Sequence, residues 1–133
     1  MRSRDGGDAP TRRREDPPLL RGEARYTDDI QPPGTLHAAV VRSPHARARV
    51  RDIDAATAAS MDGVVEVVTA ADLEADGVPG TFHTDGVLPV EQPRTPMPLL
   101  AGDVVRHAGE PVAVVVAEDR YVAHDAAALV AVD

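Results

Sequence analysis

Apolar and polar positions sort this chain into short runs, each with its own period. Residues 1–18 are mostly Arg, Asp, Gly and Pro with little to bury, which predicts a disordered leader, and a loosely extended stretch follows through Arg25–Ile30. Pro32-Pro33-Gly34 predicts a tight turn, with proline pre-setting φ and glycine free to take a positive one. Thr35–Arg42 reads as a buried strand, apolar on both faces through Leu36, Ala38, Ala39, Val40 and Val41. Ser43-Pro44-His45 breaks it. From Ala46 to Ile53 the period is two: Ala46, Ala48 and Val50 fall on one face, Arg47, Arg49 and Arg51 on the other. These two runs are expected to pair antiparallel, with one face wet.

Asp54 is placed to cap a short helix over Ala55–Met61, ended by Asp62-Gly63. Val64–Thr69 is a third strand, and Ala70–Leu73 one helical turn. Periodicity then lapses: residues 74–98 hold five prolines, at 79, 89, 93, 96 and 98, and are expected to form a long surface loop. Order returns at Leu99. Val104–Arg106 is a short strand, Gly109-Glu110-Pro111 a turn, and Pro111–Ala117 the most strongly buried strand in the chain. Asp119 caps a helix over Arg120–Ala128, whose apolar stripe is assigned to Tyr121, Ala128 and the alanines between. Leu129–Asp133 turns β-like, and a strand ending there without turn or cap reads as truncated. The pattern thus gives one domain over residues 19–133, of α+β class: a mixed, largely antiparallel sheet with short helices.

Composition narrows what that domain does. With 133 residues and 43% hydrophobic content there is one core, but aromatics are 2%, so Val, Ala and Leu fill it. Net charge is −8; all 14 basic residues are Arg, seven of them within residues 1–25, leaving an acidic body. That balance argues against general nucleic-acid binding and against docking on an anionic membrane. A lysine-free, acid-rich chain suits either a high-salt cytoplasm or a GC-rich genome. The absence of cysteine excludes thiolate metal sites, iron–sulfur ligation and a Cys nucleophile in this sequence. No apolar run approaches the ~20 residues that span a bilayer. Arg12-Arg13-Arg14 is followed by Glu15-Asp16-Pro17-Pro18, not by the apolar stretch of an export signal, so a cytoplasmic protein is expected.

Candidate chemistry is sparse. His37, His45, His83, His107 and His124 show no i,i+4 pair, and packed or solvent-facing roles are preferred to metal ligation. Ser43, Ser60 and His45 lack a nucleophile-elbow pattern, and no phosphate-binding glycine loop is present. Arg42, Arg47, Arg49 and Arg51 make a basic stripe suited to phosphate or nucleic acid, yet no aromatics interleave for stacking and Asp52 and Asp54 dilute it.

Four stretches, in order, carry a resemblance. They are Arg14-Glu15-Asp16, Leu19-Leu20, Gly22 and Ala24-Arg25-Tyr26 with Asp28-Asp29; Pro33-Gly34-Thr35-Leu36-His37-Ala38 leading into Arg42-Ser43-Pro44-His45-Ala46-Arg47-Ala48-Arg49-Val50; Gly63-Val64-Val65 with Val67-Val68-Thr69 and Asp72; and Asp103–Arg106 with Gly109–Ala117. Together they resemble the N-terminal α/β hammerhead domain of the xanthine dehydrogenase, aldehyde oxidase and carbon monoxide dehydrogenase large subunits. The resemblance covers roughly residues 12–133, with 74–98 not matching in detail. It implies an N-terminal fragment or split subunit of a molybdenum hydroxylase, structural and not catalytic alone. Its partners would be the remaining molybdopterin-binding domains and iron–sulfur and flavin subunits. Glycine-rich cofactor loops and the catalytic glutamate of that family lie beyond the hammerhead, so no catalytic, cofactor-binding or metal residue carries over. Gly109-Glu110-Pro111 echoes the family's Gly-Glu-Pro but precedes a first-domain strand, so Glu110 is read as a turn residue. The Arg stripe is read, in that setting, as pairing with acids on adjoining domains. A stand-alone interaction module and a non-functional truncated frame are the alternatives.

Overall fold

A computed structural model describes residues 13–82 and 97–133, which divide after Pro33 into two compact units. In the first, helix α1 (Asp16–Leu20) carries prolines in its first turn, where a missing N–H leaves nothing unpaired, and Gly22 closes it at φ +69°. The last residues of the stretch expected to be a leader are therefore helical. A 3-10 turn at Thr27–Asp29 follows, held by Tyr26 N–H donating to Asp29 Oδ2 at 2.9 Å.

The second unit is built around β8 (Pro111–Ala117), flanked by β1 (His37–Arg42) and β4 (Val64–Thr69), all antiparallel. Helices α2 (Ala56–Ala59) and α4 (Arg120–Leu129) cover one face. Ala58, Val115, Ala126 and Val130 form one cluster beneath them, and Ala39, Ala117 and Ala123 another. Alanine on both partners lets helix and sheet backbones approach closely, which is how an aromatic-poor chain still closes a core. Each fully buried valine, Val112 and Val115, contributes about 1.5–3 kcal/mol relative to exposure.

Helix α4 begins as the sequence indicates. Asp119 Oδ1 accepts from Tyr121 N–H at 2.7 Å and Val122 N–H at 3.3 Å. Its buried face is different from the expected one: Tyr121 is 77% exposed and Ala128 also faces solvent, while Val122, Ala123, Ala126 and Ala127 meet the sheet. A 3.6-residue period puts 122/123 and 126/127 on one side and 121 and 128 off it.

The expected pairing of the first two strands is also corrected. Residues 37–42 pair with 111–117, and the alternating run supplies only β2 (Ala48–Arg49) and β3 (Ile53–Asp54). These pair with β7 (Val104–Val105) and β9 (Ala131–Val132) respectively. The reason lies in the Ser43 turn. It is tied across the chain, Ser43 N–H donating to Glu110 O at 3.0 Å and Gly109 N–H to Ser43 O at 2.8 Å, so it does not close a hairpin. Nor is β1 buried on both faces; Ala39 is its buried residue and Val40 stays 39% exposed, because helices cover one side of the sheet.

Asp54 Oδ1 accepts Ala56 N–H at 3.0 Å at the start of α2. Helix α3 (Ala70–Ala75) is longer than the single turn expected, and is secured by a reciprocal cap between Thr69 and Asp72. The ends of the proline-rich stretch are ordered too: β5 (Thr81–Phe82) pairs with β6 (Met97–Pro98). Residues 83–96, His83 among them, lie outside the described residues.

Candidate functional site

Among the described residues of the second unit, a cleft of about 500 Å³ lies beside β2. One wall is the Arg42-Ser43-Pro44-His45 turn, and the other ends at Val132 and Asp133. Ala48, Val50, Val105 and Val112 give it an apolar lining; Arg42, Arg49 and Arg51 give it a cationic rim. The alternation along 46–53 places these groups: Ala48 and Val50 pack against the Ala101–Val105–Val112 cluster, leaving Arg47, Arg49 and Arg51 to solvent. Arg42 Nη1 donates to Gly109 O at 2.8 Å, and Arg51 stands 3.7 Å from the Asp133 carboxylate with both side chains well exposed.

Glu110 buttresses the first wall from behind. It is 3% exposed and accepts hydrogen bonds from the Arg106 backbone N–H and from Arg106 Nη1 at 3.3 Å, with His107 Nδ1 at 3.7 Å. Burial acts to raise its pKa, but hydrogen bonds from Arg106 and the His107 backbone, with the His107 charge, outweigh it and hold the carboxyl below its ordinary value. Glu110 is thus a charged buried anchor of a turn. Ser43 is anchored likewise: its Oγ accepts His45 N–H at 3.1 Å and donates to His45 O at 3.3 Å, leaving no free nucleophile. Away from the cleft, the Thr69 hydroxyl and backbone N–H both bond Asp72 Oδ2, at 2.6 and 2.7 Å, and hold that carboxyl below its ordinary value.

The histidines are scattered. His37 is half-buried in β1, His45 lines the cleft, His107 is beside Glu110 and His124 lies exposed on α4. Ser60, apart from Ser43, donates to Thr57 O at 2.9 Å. Among the described residues no three His, Asp or Glu side chains converge on a metal-sized site. The positive-φ glycines 22, 34, 63, 77 and 109 are spread over separate turns. No helix among the described residues is long and apolar enough to cross a membrane. The cleft itself was invisible in the sequence, since its walls come from residues more than 60 positions apart; the Arg/Ala alternation was the one legible sign of its rim.

A three-stranded antiparallel sheet with helices on one face and small two-stranded ladders beside it defines a mixed α+β domain. Residues 21–133 match the family described as aldehyde oxidase and xanthine dehydrogenase, a/b hammerhead domain, and the chain belongs to that family. It is 45% identical over 123 residues to the nicotine 6-hydroxylase large subunit of Paenarthrobacter nicotinovorans, covering 91% of this chain and 14% of that protein. To the carbon monoxide dehydrogenase large chain of Afipia carboxidovorans it is 42% identical over 130 residues, covering 92% and 14%. The structure of a Cu,Mo-CO dehydrogenase superposes with a TM-score of 0.78 at 39% identity, again over 92% of this chain and 14% of the other. The chain therefore spans about one seventh of the length of each of these relatives.

Proposed function

We propose that this chain is the hammerhead portion of a molybdenum hydroxylase large subunit, in which it supports the molybdopterin-bearing part and contributes no catalytic residue. The observation that carries this reading is the match along residues 21–133 to one seventh of large subunits named for nicotine hydroxylation and carbon monoxide oxidation. Among the described residues the buried polar groups are Glu110 and Ser43, and both are hydrogen-bonded into turns, as expected of a supporting domain. Iron–sulfur and flavin subunits would complete the electron path, in the cytoplasm. Substrate choice would belong to the other domains.

A transplant tests this. Residues 21–133 replace the corresponding region of the Afipia carboxidovorans carbon monoxide dehydrogenase large chain, with the same region of the nicotine 6-hydroxylase large subunit as control. The expected product is a soluble subunit that retains molybdenum and measurable CO oxidation. An insoluble or metal-free product beside a competent control refutes the reading.

A further inference from the structure

We propose that the face of the three-stranded sheet turned away from α2 and α4 is the surface on which the cofactor-bearing remainder of the large subunit packs an aliphatic layer. This rests on the function proposed above and names the surface through which the support is given.

Register fixes which side chains form that face. Val115 lies opposite Ala39 on one side and Val67 on the other, and all three point toward the helices. Successive residues of a strand point to opposite faces. Val114, between Val40 and Val68, and Val116, between Ala38 and Glu66, therefore point away. Val40 is 39% exposed, Ala38 is exposed, and Val68, Val114 and Val116 are half-buried. None of these four valines joins the core clusters formed by the described residues. The face is made by β1, β4 and β8 alone, and neither end of the chain contributes to it.

Its composition is wrong for water. An antiparallel sheet with one wet side alternates apolar and polar residues, whereas a sheet covered on both sides reads as continuous apolar runs. This chain does alternate where a strand meets solvent: Arg47 and Arg49 face outward beside inward Ala48 and Val50. Strand β8 has no polar side chain from Pro111 to Ala117, and β1 has none from Ala38 to Val41. Glu66 alone interrupts the two rows, at one corner of the patch. The strands are thus built for a layer on each side, and α2 and α4 supply one of them.

The size of the patch selects the occupant. Four partly exposed valines offer far less than the roughly 800 Å² per partner that holds two separate proteins together. A segment of the same polypeptide is kept nearby by the chain itself and needs no such area. Relatives of this chain are about seven times its length, so such a polypeptide is at hand in a large subunit.

The test places Val40→Glu in the 133-residue chain and in the transplanted carbon monoxide dehydrogenase large chain. Tyr121→Glu, on the outer side of α4, is the control. In the isolated chain Val40→Glu is expected to move the thermal midpoint by no more than about 3 °C. In the transplant it is expected to lower the yield of soluble, molybdenum-loaded subunit by about five-fold or more, since it buries a charge between layers. Val40→Ile, which keeps the face aliphatic, and Tyr121→Glu should both assemble as the parent transplant does. Assembly of the Val40→Glu transplant at the parent's level overturns the proposal and leaves the supporting role standing. A large loss of stability in the isolated Val40→Glu chain also overturns it, because the chain's own residues would then cover the face. A dimer of the isolated chain that Val40→Glu disperses, beside an unaffected transplant, would make a second copy the occupant and defeat the proposal too. Failure of the parent transplant refutes the supporting role itself.

Discussion

Strands β1, β4 and β8 are six, six and seven residues long, whereas β2, β3, β7 and β9 have two each. The first group lies under α2 and α4, and its central strand buries Val112, Ala113, Val115 and Ala117 to 1% exposure or less. The second group borders a cleft, keeps four arginines at the surface and leaves Val132 42% exposed. Both regions come from Val- and Ala-rich sequence. What separates them is cover: two helices close one, while the other has short ladders and a charged rim. In the first region the chain is complementary to itself. In the second the arginine rim is left to solvent.

The contrast breaks most sharply at Val115, which touches α2 and α4 from the sheet. Val115→Asp would bury an unpaired charge and is expected to cost about 4 kcal/mol or more, enough to abolish a cooperative urea transition. A stable folded Val115→Asp chain would mean that the helices do not seal this face.

Next in size is Glu110, which joins the two regions because its turn abuts both β8 and the cleft wall. Glu110→Gln replaces a charged acceptor by a neutral one and is expected to lower stability at pH 7 by about 1–3 kcal/mol in urea titrations. The sign with pH follows from the lowered folded-state pKa. The charged carboxylate stabilises the native chain above the ordinary glutamate value of 4.5, and that contribution is lost as pH falls through the lower folded value. The gap between parent and variant should therefore narrow steadily below pH 4.5. A gap that stays constant or widens toward low pH would show that the Arg106 and His107 contacts do not govern this carboxyl.

The two regions were unequally legible in the sequence. Val64–Thr69 and Pro111–Ala117 were placed to the residue, because a Val-rich strand between a helix cap and a turn carries its own boundaries. Asp119 as a cap was legible for the same local reason. Partnership was not. The Ser43 turn resembles a hairpin turn until its bonds to Gly109 and Glu110 are seen, and those bonds span more than 60 residues. The face of α4 was misplaced because alanine appears on several sides of that helix, so hydrophobic content alone could not orient it. At the cleft, the Arg/Ala alternation showed which side chains face water but not that a second wall stands opposite them.

Asp119→Ala tests the local end of the comparison. The carboxylate satisfies two orphan N–H groups of the first turn of α4, and its loss is expected to cost about 1 kcal/mol by thermal or urea melt. The helix should remain on the sheet, since Ala123 and Ala126 hold it there. A loss as large as that of Val115→Asp would show that the cap, rather than packing, decides whether α4 forms.

The smallest effect is the most telling for the second region. Arg49→Gln removes an exposed charge with no ion pair among the described residues, and the fold should change in stability by no more than about 0.5 kcal/mol. Its exposed backbone position in β2 stays compatible with glutamine, so the ladder to Val104 is kept. A change of that size is what an exposed side chain with no contact in its own fold should give. If Arg49→Gln instead destabilised the fold by 2 kcal/mol, the guanidinium would be serving the chain internally, and the distinction between a self-complementary sheet and an open, charged margin would collapse at the residue that best represents it.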